Sequence, residues 1–151
     1  METSNTRSKA TFTHLSTLAQ YFIPFGNFIF PLVIWSSTKK DSEFIDNHGK
    51  QAVNFQLSIF LYTLTLCFIA IPTLLYSIFK SIPLSAVIND DDFILQNLTT
   101  NNFTGVVIIA LTALLLLVMM KVGEFFLVIF ASVKAANGEE YQYPMSIKFI
   151  K

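Results

Sequence analysis

The chain has 151 residues, 53% apolar and 13% charged, where ordinary soluble domains run about 45–50% and 25%. Ten basic and ten acidic side chains cancel, which excludes the strongly basic surface that nucleic-acid binding needs. No charged residue falls within 10–38, 51–79 or 93–120, windows of 29, 29 and 28 residues, and a helix crossing a ~30 Å hydrocarbon layer needs about 20; this excludes a small soluble domain and predicts an all-α, multi-pass membrane protein.

Residues 1–10, polar and carrying Arg7 and Lys9, read as a flexible tail, and 11–151 as one membrane domain with segments at about 12–36, 43–80 and 103–136. Over 11–23, Phe12, Leu15, Ala19, Phe22 and Ile23 recur at helical spacing, with Thr13, Ser16, Thr17 and Gln20 on the other side. Pro24-Phe25-Gly26-Asn27 breaks this helix, because proline lacks the N–H that a helix interior uses. A second apolar piece, Phe28 to Trp35, contains Pro31. Two readings stay open. One is a single span kinked at Pro24 and Pro31, giving about three transmembrane helices. The other is a re-entrant hairpin whose halves, about 10–12 residues each, are too short to cross alone.

The charged connection at 39–50 offers Asp41 or Ser42 as an N-cap and places Glu43 in the first turn of the next helix. That helix is expected to run from about 43 to 80, with a kink at Pro72. Asn47, Gln51, Asn54, Ser58, Tyr62 and Thr65 follow at steps of 4, 3, 4, 4 and 3, so they share one face. Hydrocarbon has no partners for amides and hydroxyls, so this face reads as a helix-packing stripe turned toward the protein or a neighbouring chain. Cys67, the only cysteine, reads as a small packing residue.

Residues 81–102 read as a polar connection with a short interfacial helix at Ile82–Ile88, an acidic run Asp90-Asp91-Asp92, and glycosylation-type sequons at Asn97 and Asn102. A tilted helix of about 31 residues follows and closes at Asn137-Gly138, both tolerant of the left-handed conformation. Lys121 and Glu124, three apart, form an intramembrane charge pair. Each charge at mid-bilayer costs about 2.5–3.5 kcal/mol, so the pair reads either as a relay or as a snorkelling lysine beside a packed glutamate. Tyr141 and Tyr143 suit an interfacial aromatic belt. Met145, Ile147 and Phe149 alternate with Ser146 and Lys148, an extended strip lying on the membrane or on the protein.

Basic residues near spans favour the cytoplasm. With three spans they divide six to three; with a hairpin they divide eight to one. Both readings place 39–50 and the C-terminus in the cytoplasm. Candidate chemistry is sparse. Asp46-Asn47-His48-Gly49-Lys50-Gln51 is the densest polar cluster, but a metal site needs three or four converging ligands and the second histidine is His14. No phosphate-binding glycine loop, Ser-His-acid set or Cys-His pair is visible. The expectation is therefore a non-enzymatic chain with no catalytic, cofactor-binding or metal-ligating residues. Its partners would be the lipid bilayer and either further copies or another membrane protein, without nucleic acid.

Three collinear blocks carry a resemblance: HLSTLAQYFIPFGNFIFPLVIW at 14–35, FIDNHGKQAVNFQLS at 44–58 and AANGEEYQYPMSIKFI at 135–150. Together they resemble the Tic-twenty-like membrane family catalogued as domain of unknown function 4870, whose relatives include the magnetosome MamF/MmsF proteins. The matching positions are His14, Pro24, Gly26, Asn27, Pro31, Asp46, His48, Gly49, Lys50, Asn54, Phe55, Gln56, Asn137, Gly138, Tyr143 and Pro144. Lys121 and Glu124 lie outside the pattern. The resemblance implies a small multi-helix protein of the bacterial inner (plasma) membrane and suggests an assembly or translocation role; it does not imply a reaction. The function expected is a scaffold or accessory subunit. The alternative is a pore or transporter-like, protein-translocation-like component acting as an oligomer.

Overall fold

The computed structural model describes residues 3–81 and 103–151. The expected interfacial helix at 82–88, the three aspartates and both sequon asparagines lie outside the described residues. Among the described residues the fold is helical, without a strand. It consists of α1 (Ser4–Leu15), a 3-10 helix (Ser16–Tyr21), α2 (Gly26–Thr38), α3 (Glu43–Ser81) and α4 (Phe103–Ala136). The chain forms two compact units, 1–61 with 120–151, and 62–119.

In the first unit, residues 4–10 are not the expected flexible tail. Thr3 caps α1, its hydroxyl accepting from the Thr6 N–H at 3.2 Å, and Ala10 is fully buried. The stretch from α1 through the 3-10 helix is inverted relative to a helix of a soluble protein. Thr13, His14 and Thr17 are buried, while Phe12 and Phe22 are 63% and 88% exposed. The Thr13 and Thr17 hydroxyls donate to the Lys9 and His14 carbonyls, so burial strands neither.

The chain reverses after Tyr21. The Phe22 and Ile23 N–H groups both donate to the Ala19 carbonyl, and Phe25 sits at φ 61°, a left-handed conformation that costs a non-glycine residue roughly 1–2 kcal/mol. Helix α2 then runs back against the 3-10 helix. A Cβ added to Gly26 would lie 2.8 Å from the carbonyl carbon and oxygen of Ala19, so the crossing needs a glycine. Lys9 Nζ meets Asp41 Oδ2 at 2.6 Å, tying the first turns of α1 to the connection after α2. The first segment is thus two helices folded back on each other.

Ser42 supplies the N-cap of α3, accepting from the Phe44 N–H at 3.1 Å, while Asp41 is engaged by Lys9. Helix α3 continues through Pro72 for 39 residues in all. Helix α4 ends in a Schellman motif: Gly138 has φ 78°, Glu139 N–H donates to the Lys134 carbonyl and Gly138 N–H to that of Ala135. The core of this unit gathers Phe55, Val128, Ala131 and Tyr143, with a second cluster of Ala10, Phe44 and Ala135.

The second unit contains α3 from Tyr62 and α4 as far as Met119. Leu66, Ala70 and Thr73 with Ile109, Thr112 and Ala113 line an apolar groove of about 250 Å³. Phe68, Leu111 and Met119 are 72%, 60% and 64% exposed. Cys67 is free and half-buried. Two stretches, Glu43–Phe79 and Gly105–Ala136, are long and apolar enough to cross a membrane, and only 6% of each apolar window is buried inside the molecule. A core helix of a soluble protein hides its apolar side chains; these helices turn theirs outward.

Candidate functional site

The polar groups of the first unit form three clusters and a tail-binding face. The first cluster joins the two histidines. His14 Nε2 meets His48 Nδ1 at 2.8 Å, and Tyr143 Oη meets His14 Nδ1 at 2.9 Å. His14 and His48 are fully buried and Tyr143 is 5% exposed. The bonds link α1, α3 and the tail, positions 34 and 129 residues apart in sequence. Burial first, and His48 beside it second, push His14 down to about 3, so its imidazole is neutral. Burial also raises the Tyr143 phenol well above its ordinary value. Tyr143 is therefore not an interfacial belt residue. Its ring stacks on Phe55 at 4.0 Å, inside the core, because the tail folds back over α3. His48 Nε2 is buried without a bond of hydrogen-bond geometry and faces the Glu139 backbone.

A second cluster fixes α2 on α3. Trp35 Nε1 donates to Asp46 Oδ1 at 2.8 Å, and Lys50 pairs with Asp46 Oδ2 at 2.6 Å. Gly49 lies under the indole: a Cβ there would fall 2.1 Å from Trp35 Cδ1. Further along, Asn27 Nδ2 donates to Gln56 Oε1 at 2.8 Å. Pro24 is exposed in the reversal, Asn137 and Gly138 close α4, and Pro144 is exposed before Met145, which adopts φ 61°.

The polar stripe on α3 receives the tail. Asn54 Oδ1 accepts from the N–H groups of Phe149 and Ile150 at 3.1 and 2.8 Å, and its Nδ2 donates to the Ile150 carbonyl at 2.9 Å. Ser58 accepts from the Ile147 N–H at 2.8 Å. Asn47 and Gln51 flank the same strip of tail at a polar cleft. Tyr62 and Thr65 continue the stripe into the second unit, with Thr65 exposed.

The third cluster contains the charge pair. Lys121 Nζ lies 2.8 Å from Glu124 Oε2 and 3.1 Å from Gln20 Oε1, while Gln20 Nε2 donates to Glu124 Oε1 at 2.8 Å. The Glu124 side chain is fully buried and that of Lys121 is 45% exposed. The sequence pairs Lys121 with Glu124 but misses Gln20 and Trp35. The signal for Gln20 was its place on the polar side of the first helix; for Trp35, nothing local marks Asp46 as its partner.

Among the described residues, no group of three or more His, Cys, Asp or Glu side chains is placed to hold a metal ion. The arrangement locks helices and tail together at several levels. Neither the curated proteins nor the solved structures offered a match. Residues 5–150 match the family described as the magnetosome magnetite crystal formation protein family, MamF_MmsF. The match covers all three clusters and the tail-binding face, and the chain belongs to that family.

Proposed function

We propose that this protein is a non-enzymatic scaffold or accessory subunit of a membrane assembly, held in the bilayer by two spans and a re-entrant hairpin. One observation carries the reading: His14, His48, Tyr143, Asn54 and Ser58, the groups a reaction would draw on, are at most 5% exposed and bonded to other elements of their own unit. Groups so placed hold shape. The family's name concerns magnetite crystal formation in magnetosomes. Carried to this chain, the role is that of a structural component of such a membrane.

Length supports the topology. At 1.5 Å per residue the 39 residues of α3 and 34 of α4 exceed a ~30 Å core, whereas the 13 of α2 reach only about 20 Å. The hairpin tip is apolar and open, with Phe22 88% and Phe25 68% exposed, as suits a tip dipping into hydrocarbon. Arg7, Lys9, Lys39, Lys40, Lys50, Lys134, Lys148 and Lys151 then flank one end and Lys80 the other, which supports a reading with the richer end in the cytoplasm.

The test is mild-detergent affinity purification of a tagged copy from its native membrane, with mass spectrometry of what co-purifies. A stoichiometric partner or a defined homo-oligomer is expected; a lone monomer contradicts the reading. The alternative, an oligomeric pore or transporter component, is favoured by one observation. Lys121 stands near the middle of α4 with its side chain 45% exposed beside a fully buried Glu124. Flux through liposomes that survives the Lys121→Leu, Glu124→Leu double change removes that alternative.

A further inference from the structure

We propose that the cleft between the first turns of α3 and the tail binds the phosphate headgroup of an anionic phospholipid. The cleft has a volume of about 440 Å³. Its polar lining comes from Asn47, Lys50 and Gln51 on α3 and from Gln142, Lys148 and Lys151 on the tail. Lys50 is committed to Asp46 at 2.6 Å. Lys148 and Lys151 form no ion pair among the described residues. Glu140 is the one acidic side chain of the lining. A phosphodiester pairs with the two ammonium groups, and the three amide side chains offer N–H donors to its oxygens.

The cleft is held open in a defined shape. Asn54 grips the backbone of Phe149 and Ile150, the residues between Lys148 and Lys151, so both lysines project from a fixed strip of chain. Its depth also suits a headgroup. The charge-free run of α3 begins at Gln51, so the cleft stands where hydrocarbon gives way to polar surroundings. Ile147 and Phe149, 39% and 48% exposed, flank Lys148 with apolar surface suited to the acyl side of the same boundary. A phospholipid presents both chemistries at that level; a soluble anion presents only the first.

The proposal rests on the membrane placement above. Its test is native mass spectrometry of the full chain in detergent, titrated with phosphatidylglycerol or phosphatidylcholine. The expected result is selective retention of phosphatidylglycerol. Lys148→Gln and Lys151→Gln should each weaken it about fivefold, the usual effect of a lysine near an anionic surface. The Lys148→Arg, Lys151→Arg pair should keep it, and circular dichroism should be unchanged throughout. Equal retention of the two lipids overturns the proposal. So does an equal loss in Lys39→Gln, Lys40→Gln, which would mean diffuse charge attraction. Displacement of the lipid by inorganic phosphate at matched concentration would make this a soluble-anion site and overturn the lipid assignment. Because the assay runs in detergent, its failure leaves the span count to the labelling experiment described below.

Discussion

The two units meet the same apolar environment with different means. In 1–61 with 120–151, imidazoles, amides, hydroxyls and an ion pair reach from one element to another: Tyr143 to His14 to His48, Asn54 to the tail, Gln20 to Lys121 and Glu124. Among the described residues of 62–119, the Thr73 and Thr112 hydroxyls donate to carbonyls of their own helices at 2.7 and 2.8 Å, and the groove is lined by Leu, Ile, Ala and Thr. Lipid tails are as apolar as leucine, so burying leucine against leucine gives helices in a bilayer little preference for one arrangement. Hydrogen bonds and close glycine contacts do give one. The first unit is therefore tied element to element, whereas the described part of the second presents mainly apolar side chains.

Acid should break the first unit by the largest margin. The unfolded chain binds a proton on His14 below pH about 6.5, whereas the native site resists protonation until about 3. Stability should thus be flat above pH 6.5, and His14 alone should lower it by about 1.4 kcal/mol per pH unit as acid is added through that window. Thermal unfolding in micelles across pH measures this, and His14→Gln should make the slope shallower by that amount. One substitution made twice sharpens the contrast. Gly49→Ala drives a methyl to 2.1 Å from Trp35 and should cost about 1–3 kcal/mol, as overpacked sites do. Gly105→Ala in the second unit meets no atom within 4 Å and should gain about 0.5–1 kcal/mol from helix propensity alone. Denaturation of the two variants side by side checks both signs.

Smaller effects probe the tail. Asn54→Leu removes three hydrogen bonds, each of net worth about 0.5–1.5 kcal/mol, and should expose 139–151 to limited proteolysis while leaving the helices intact. Thr112→Leu should change stability by less than about 0.5 kcal/mol. Tyr143→Phe keeps the 4.0 Å stack on Phe55 and loses only the bond to His14, so a shift of about 1 kcal/mol in thermal unfolding is expected.

The helices and their ends were legible in the sequence for local reasons. Charge-free windows and caps place α3 and α4 within two residues of their observed limits, and i, i+3 spacing pairs Lys121 with Glu124. What joins distant segments was not legible. Nothing near His14 marks Tyr143, 129 residues away, as its partner, and Gln20 finds Glu124 across 104 residues. The stripe through Asn54 reads as a face turned from lipid, but a polar face carries no record of what lies on it. The helix packing expected there gives way, at Asn54 and Ser58, to backbone groups of the tail. The turn at 22–25 was open between kink and hairpin because Pro24 ends a helix without setting the direction that follows. That direction depends on Phe25 turning left-handed and on Gly26 fitting against Ala19.

The hairpin is the central claim, and side-specific cysteine labelling tests it most directly. In a Cys67→Ser background, Ser4→Cys and Ser37→Cys place single thiols at exposed positions on either side of the reversal. In sealed, oriented membrane vesicles an impermeant maleimide should reach both from the same face. Labelling of the two from opposite faces would mean that the first segment crosses the membrane, and would contradict the two-span account.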